Sequence, residues 1–237
     1  MALTSFELFS SNNSPVLVLE DLEFSWPNGE KVLDRCNFSI PGPGLWMLVG
    51  ANGSGKSTLF RLISGMATPD SGQIKCTLKP ALMFQNPDHQ LLLPTCASDL
   101  LLSLPKKLST IERVERIQGA LEQVGMSDMQ LRPIHTLSGG QKQRLALAGS
   151  LVSEANLLLL DEPTALLDPT GQKNILTIVQ DLCTRSENPL TAVWITHRLE
   201  ELEFASAAAI MDKGRISQWE PGHLLIKRLS PLAGRQV

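Results

Sequence analysis

Residues Gly50–Ser57 read Gly-Ala-Asn-Gly-Ser-Gly-Lys-Ser, three glycines followed by a lysine and a hydroxyl. The spacing G-x-x-x-x-G-K-[ST] is what a loop that cradles phosphate requires. Gly50, Gly53 and Gly55 allow turns that a Cβ forbids. Successive backbone N–H groups can then converge on an anion, and the helix that follows adds its positive end. Lys56 supplies a point charge for the β- and γ-phosphates, and the Ser57 hydroxyl a ligand for Mg²⁺. Asn52, Ser54 and Thr58 complete the nucleotide-contacting set. A glycine-rich turn is the bland alternative. The flanks oppose it: Leu45–Val49 reads as a buried strand and Thr58–Ile63 as the start of a helix.

Other chemistry-bearing residues lie far along the chain. The four leucines Leu157–Leu160 deliver Asp161 and Glu162 to the carboxyl end of a strand, where open α/β sheets bind ligands. An acid there partners a phosphate-loop serine in holding Mg²⁺. Glu162, one residue on, is a candidate general base for water. Gln85 follows the apolar run Ala81–Phe84; it either reaches Mg²⁺ and an attacking water or merely terminates a strand. His197 follows Leu190–Thr196 and divides evenly between a structural histidine and a phosphate contact. Trp26 closes the alternating Val16–Trp26 and is either a packed strand-end aromatic or a stacking platform for a base. Leu137-Ser138-Gly139-Gly140-Gln141 opens a helix to about Leu151, as a plain cap by Ser138 or as a second anion-attracting terminus.

These residues need a scaffold. Val16–Trp26 and Val32–Ile40, joined by the turn Pro27-Asn28-Gly29, predict an antiparallel pair ahead of the loop. Gln73–Leu78 predicts a short strand. Ser109–Val124 predicts a helix with a Ser109/Glu112 capping box, an apolar face of Ile111, Val114, Ile117, Leu121 and Val124, and a stop at Gly125. The Leu-rich Leu91–Leu104 is read as lobe core or as an exposed patch for a partner. Asp168-Pro169 caps a helix that turns Ile175, Ile178, Val179 and Leu182 inward. Ala207–Met211 and Arg215–Gln218 predict a hairpin, and His223–Leu229 a last helix.

The composition sets bounds. The chain has 237 residues, 43% hydrophobic and 19% charged, with a net charge of −3. That is globular, long enough for one large domain, and without the basic footprint of a nucleic-acid binder. No run approaches the about 18 apolar residues of a spanning helix. Met1–Pro15 reads as a loose tail without signal-peptide features. Cys36, Cys76, Cys96 and Cys183 lack metal-ligand spacing and read as reduced thiols. A cytoplasmic protein is expected.

Taken in order, the phosphate loop, Gln85, Leu137–Gln141, Leu157–Glu162, Ala165–Asp168 and His197 resemble the ATP-binding subunits of ATP-binding cassette (ABC) systems, from about Val16 to Ile226. The resemblance implies an α/β fold: a P-loop NTPase (RecA-like) core with an antiparallel β subdomain and an inserted α-helical subdomain. The single domain 1–237 would divide into a core lobe, about 16–86 and 154–226, and a helical lobe, about 87–153. Trp26 would stack on adenine. Lys56, Ser57, Asp161 and Gln85 would surround the phosphates and Mg²⁺, Glu162 would polarise water, and His197 would contact the γ-phosphate. Ser138, Gly139, Gly140 and Gln141 would face ATP held by a second ABC subunit, identical or not, with Asp168 linking the two sites.

Gln85-Asn86-Pro87-Asp88-His89-Gln90 is similar to the corresponding loop of energy-coupling factor and cobalt/nickel importer ATPases. That similarity implies a transmembrane coupling subunit and a substrate-binding membrane subunit, which would hold the chain peripherally on the cytoplasmic face of the cell membrane. The alternative is a soluble ABC scaffold ATPase, such as one serving iron–sulfur cluster assembly. Leu166, Cys96 and Trp219 depart from the family pattern without removing a catalytic group.

Overall fold

A computed structural model describes residues 14–233. The expected tail therefore lies outside the described residues except for Ser14 and Pro15. Two sheets carry the fold. Strands β1 (Leu17–Ser25), β2 (Lys31–Ile40) and β4 (Ser71–Cys76) form an antiparallel sheet in the order β2-β1-β4. The larger sheet has the order β5-β6-β7-β3-β8-β9. It comprises β3 (Gly44–Val49), β5 (Pro80–Met83), β6 (Leu157–Asp161), β7 (Thr191–Ile195), β8 (Ala207–Asp212) and β9 (Arg215–Ile216). All its pairings are parallel except β8 with β9.

The central strands are buried on both faces, as unbroken apolar runs should be. Alternate residues serve two cores. Met47, Leu158, Leu160, Ala192 and Trp194 face the helices, whereas Leu48, Leu157, Leu159, Val193 and Ile195 face the antiparallel sheet and α1 (Lys56–Ile63). That period of two is the pleat expressed in packing.

Helices α2 (Cys96–Ser103), α3 (Thr110–Gln123) and α4 (Gly139–Val152) lie in the chain between β5 and β6; α5 (Pro169–Thr184) and α6 (Gly222–Ala233) follow. The Ser109/Glu112 capping box is present. One expectation needs correction. Ile111 and Val114 are exposed, and the buried stripe of α3 is Ile117, Ala120, Leu121 and Val124. The contacts of α3 with α4 and α2 begin a turn later than the apolar spacing suggested, so tertiary packing selects only the C-terminal part of the face. Leu91–Leu104 is split: Leu100 and Leu104 are buried, while Leu92, Leu101 and Leu102 are exposed. Trp219 fills space beside Phe38 and Trp46 and donates from Nε1 to Ser39 O at 2.7 Å. All four cysteines are free thiols.

Candidate functional site

The phosphate loop joins β3 to α1. Gly55 caps α1 with φ 106, in the region that favours glycine. At Gly50 the reason is space: a Cβ would collide with the Met211 carbonyl at the end of β8. Ser54 O accepts from Gly214 N at 3.1 Å, which ties the loop to the β8–β9 turn. Lys56 is buried, and its Nζ donates to Gly50 O at 2.7 Å and Ala51 O at 2.9 Å. Burial pushes its pKa down, opposed by the charges of Glu162 and Asp161.

Asp161 ends β6 and takes a hydrogen bond from the Ser57 side chain. Burial pushes its pKa up; the Ser57 bond works the other way. Serine, aspartate and the Gln85 amide together offer only hard oxygen ligands to a cation, the set that suits Mg²⁺. Among the described residues no cluster of three or more His, Cys, Asp or Glu could hold a metal by itself.

Gln85, Glu162 and His197 converge from the carboxyl ends of β5, β6 and β7. Gln85 Nε2 donates to Glu162 Oε2 at 3.3 Å, and His197 Nε2 lies 2.7 Å from Glu162 Oε1. Glu162 adopts φ 48, strained for a residue with a side chain. Its N–H donates to Ile195 O at 3.1 Å, holding the turn onto β7.

The aromatic and the second helix terminus lie elsewhere on the molecule's site elements. Trp26 is half-buried, packs edge-on with Phe24 at 5.0 Å, and carries the Arg61 guanidinium over its ring at 5.7 Å. Ser138 caps α4 in a reciprocal capping box with Gln141. The start of α4 and the start of α5 border a cleft of about 280 Å³ lined by Ser138, Gly139, Gly140, Leu166 and Asp168 among others. Leu166 is exposed there, and Asp168 accepts from Gly171 N as the cap of α5. This cleft shares no lining residue with the Lys56–Glu162–His197 cluster.

Two residues were not singled out from sequence for a role here. Gln143, buried in α4, donates from Nε2 to Pro163 O at 2.6 Å and Gln85 O at 3.5 Å, while its Oε1 has no partner. Glu201, buried after β7, accepts from Thr164 Oγ1 at 2.5 Å and Trp194 Nε1 at 2.9 Å. Gln143 stands in the polar run Gln141-Lys142-Gln143-Arg144, where one more polar residue gives no sign of burial. For Glu201 the surrounding Leu-Glu-Glu-Leu-Glu gives none either.

Residues 33–165 match the family described as ABC transporter. The chain belongs to the ABC transporter family. An Arabidopsis thaliana protein named ABC transporter I family member 10 is 45% identical over 187 residues, covering 78% of this chain and 69% of that protein. Energy-coupling factor transporter ATP-binding protein EcfA1 of Lactiplantibacillus plantarum is 34% identical, covering 90% of this chain and 84% of its own length. Among solved structures, cbiO1 from Clostridium perfringens, described as part of the ABC transporter complex cbiONQ, aligns with a TM-score of 0.83 at 29% identity, over 94% of this chain and 96% of that one. The family brings with it the ATPase activity of such chains.

Proposed function

We propose that this ABC ATPase is the nucleotide-binding subunit of an importer of the energy-coupling-factor type, carrying a vitamin or a metal ion. The observation that carries the chemistry is the convergence of Gln85, Glu162 and His197 beside the Lys56 loop. ATP phosphates occupy the loop, where the backbone N–H groups, Lys56 and the start of α1 offset their charge. Trp26 supplies a face for the adenine. Ser57, Asp161 and Gln85 would hold Mg²⁺, which would supply charge neutralisation at the phosphates.

Phosphoryl transfer leaves little covalent work to the protein; positioning and charge do most of it. Glu162 accepts a hydrogen bond from the attacking water and aims it in line with the γ-phosphorus. His197, in contact with Glu162, orients that carboxyl group and bonds the γ-phosphate. The second half-site, Ser138, Gly139, Gly140 and Gln141 with Asp168, faces the ATP of another ABC subunit. ATP is then better bound in the closed pair than in the open one, and hydrolysis removes the difference.

Support for the importer type comes from the names borne by the L. plantarum relative and the C. perfringens neighbour, and from the Gln85–Gln90 loop. No described helix is long and apolar enough to cross a membrane. On the importer reading the chain acts peripherally at the cytoplasmic face, through a transmembrane coupling subunit and a substrate-binding membrane subunit. The segment about 87–153, with α2 to α4, is the helical lobe, and Gln85–Gln90 with Leu91–Leu104 is where the membrane partner docks. No observation favours a soluble scaffold ATPase.

The test is phosphate release from Mg-ATP by the purified chain with its co-isolated subunits. Wild type should turn over, and Glu162→Gln should bind ATP, persist as a closed dimer and not turn over. Ordinary steady-state hydrolysis by Glu162→Gln would remove Glu162 from its role.

A further inference from the structure

Glu201 is 2% exposed and sits four residues beyond His197 on the short 3-10 turn Leu199–Phe204. Both of its oxygens accept hydrogen bonds, one from Thr164 and one from Trp194, at 2.5 and 2.9 Å. Thr164 is 2% exposed and stands two residues after Glu162. Trp194 is fully buried on β7, three residues before His197.

Packing does not explain a carboxyl group at this place. An apolar side chain of similar volume would fill the space without the desolvation cost. It could not hydrogen-bond both the Glu162 loop and β7. The loop of Glu162 needs such a bridge, because Glu162 holds a left-handed φ of 48 that its surroundings must impose. From the other side, Gln143 grips Pro163 O at 2.6 Å. Pro163 and Thr164 are thus anchored on both flanks by buried side chains, directly after the strained residue.

We propose that Glu201 is a positioning residue for hydrolysis: by joining Thr164 to Trp194 it fixes the Glu162 turn against the strand end that leads to His197. It touches neither nucleotide nor water. Its effect reaches the chemistry through the geometry of the Glu162–His197 pair, and the inference rests on the roles proposed for those two residues.

The test uses the full chain with its co-isolated subunits, in single-turnover hydrolysis and in ATP binding. Glu201→Ala should lower the hydrolysis rate about 100-fold, the scale of an about 1 Å misplacement, with ATP affinity within about twofold of wild type. Thr164→Val and Trp194→Phe each remove one bond and should give smaller losses of the same kind. Thr164→Val should add little once Glu201→Ala is present, since the two remove one linkage. A role confined to stability would lower the melting temperature and leave the rate of the folded protein unchanged. That result, or fully additive losses, overturns the proposal. If Glu201→Ala does not fold, Thr164→Val and Trp194→Phe decide by the same criteria. Glu162→Gln measured alongside separates the two readings. Normal turnover there removes the catalytic assignment, whereas normal turnover in folded Glu201→Ala beside an inactive Glu162→Gln removes only the positioning role.

Discussion

His197 Nε2 and Glu162 Oε1 lie 2.7 Å apart, although the two residues come from different strand ends and are 35 positions apart in the chain. The contact fixes the imidazole against the carboxyl group before any substrate is considered. In the role proposed for it, the same imidazole would orient Glu162 and meet the γ-phosphate. His197→Ala should therefore lower turnover at saturating ATP by about 100- to 1000-fold, the range for loss of a preorganised donor. ATP affinity should change far less. Turnover and equilibrium nucleotide binding, measured on one preparation, check this; equal losses in both would show that the imidazole serves binding alone.

Gln143 donates to two backbone carbonyls and leaves its own Oε1 without a partner. Gln143→Glu replaces the donor by a second oxygen and places a carboxylate in a buried site. The expected loss is about 3 kcal/mol or more, in the range for an uncompensated buried charge. Urea unfolding reads it, and an unchanged midpoint would contradict the assigned bonds.

Asp161 carries a pKa raised above its ordinary value of 3.8 by burial. A raised folded-state pKa means that the folded chain holds a proton that the unfolded chain releases. Its favourable contribution is complete below the unfolded value and is lost as pH rises through the folded value. At neutral pH the ionised group is thus a burden on the nucleotide-free fold. Asp161→Asn should raise the melting temperature at pH 7 without nucleotide, and the gain should vanish as pH falls through the carboxylate range. The same variant should lose the stabilisation that Mg-ATP gives wild type. Melting curves across pH, with and without Mg-ATP, test both signs.

Burial pushes the Cys36 and Cys183 thiols up to about 12, and Cys96 is raised by the same cause. The thiolate is the reactive form. Cys76, half-buried at the end of β4, should be the first thiol alkylated in the native protein, with the other three reacting only on unfolding. Mass mapping after brief iodoacetamide treatment would show it, and early labelling of Cys36 or Cys183 would contradict the buried placement.

Much of the fold was legible because local and global signals coincide. Leu45–Val49 and Leu157–Leu160 are unbroken apolar runs, and only a strand buried on both faces uses such runs at that length. Ser109 with Glu112, and Asp168 with Pro169, announce helix starts through bonds made within one turn. The α3 face was misread at Ile111 and Val114 because apolar spacing shows which residues share a side, not how far along that side a neighbour reaches. The phosphate loop and the acids Asp161 and Glu162 at the end of β6 are visible because their chemistry is written in adjacent residues. Gln143 and Glu201 were missed because each acts on Pro163 or Thr164 from far away in the chain, through contacts that exist only once the strands are aligned.

The central claim is that this ATPase powers a membrane transporter. The most direct measurement is its isolation in mild detergent from the cells that make it, with the co-purifying chains identified. Polytopic membrane proteins should be recovered in fixed proportion, one of them a coupling subunit contacting the Gln85–Gln90 loop by crosslinking. Recovery of soluble partners alone would contradict that claim and leave only the nucleotide chemistry standing.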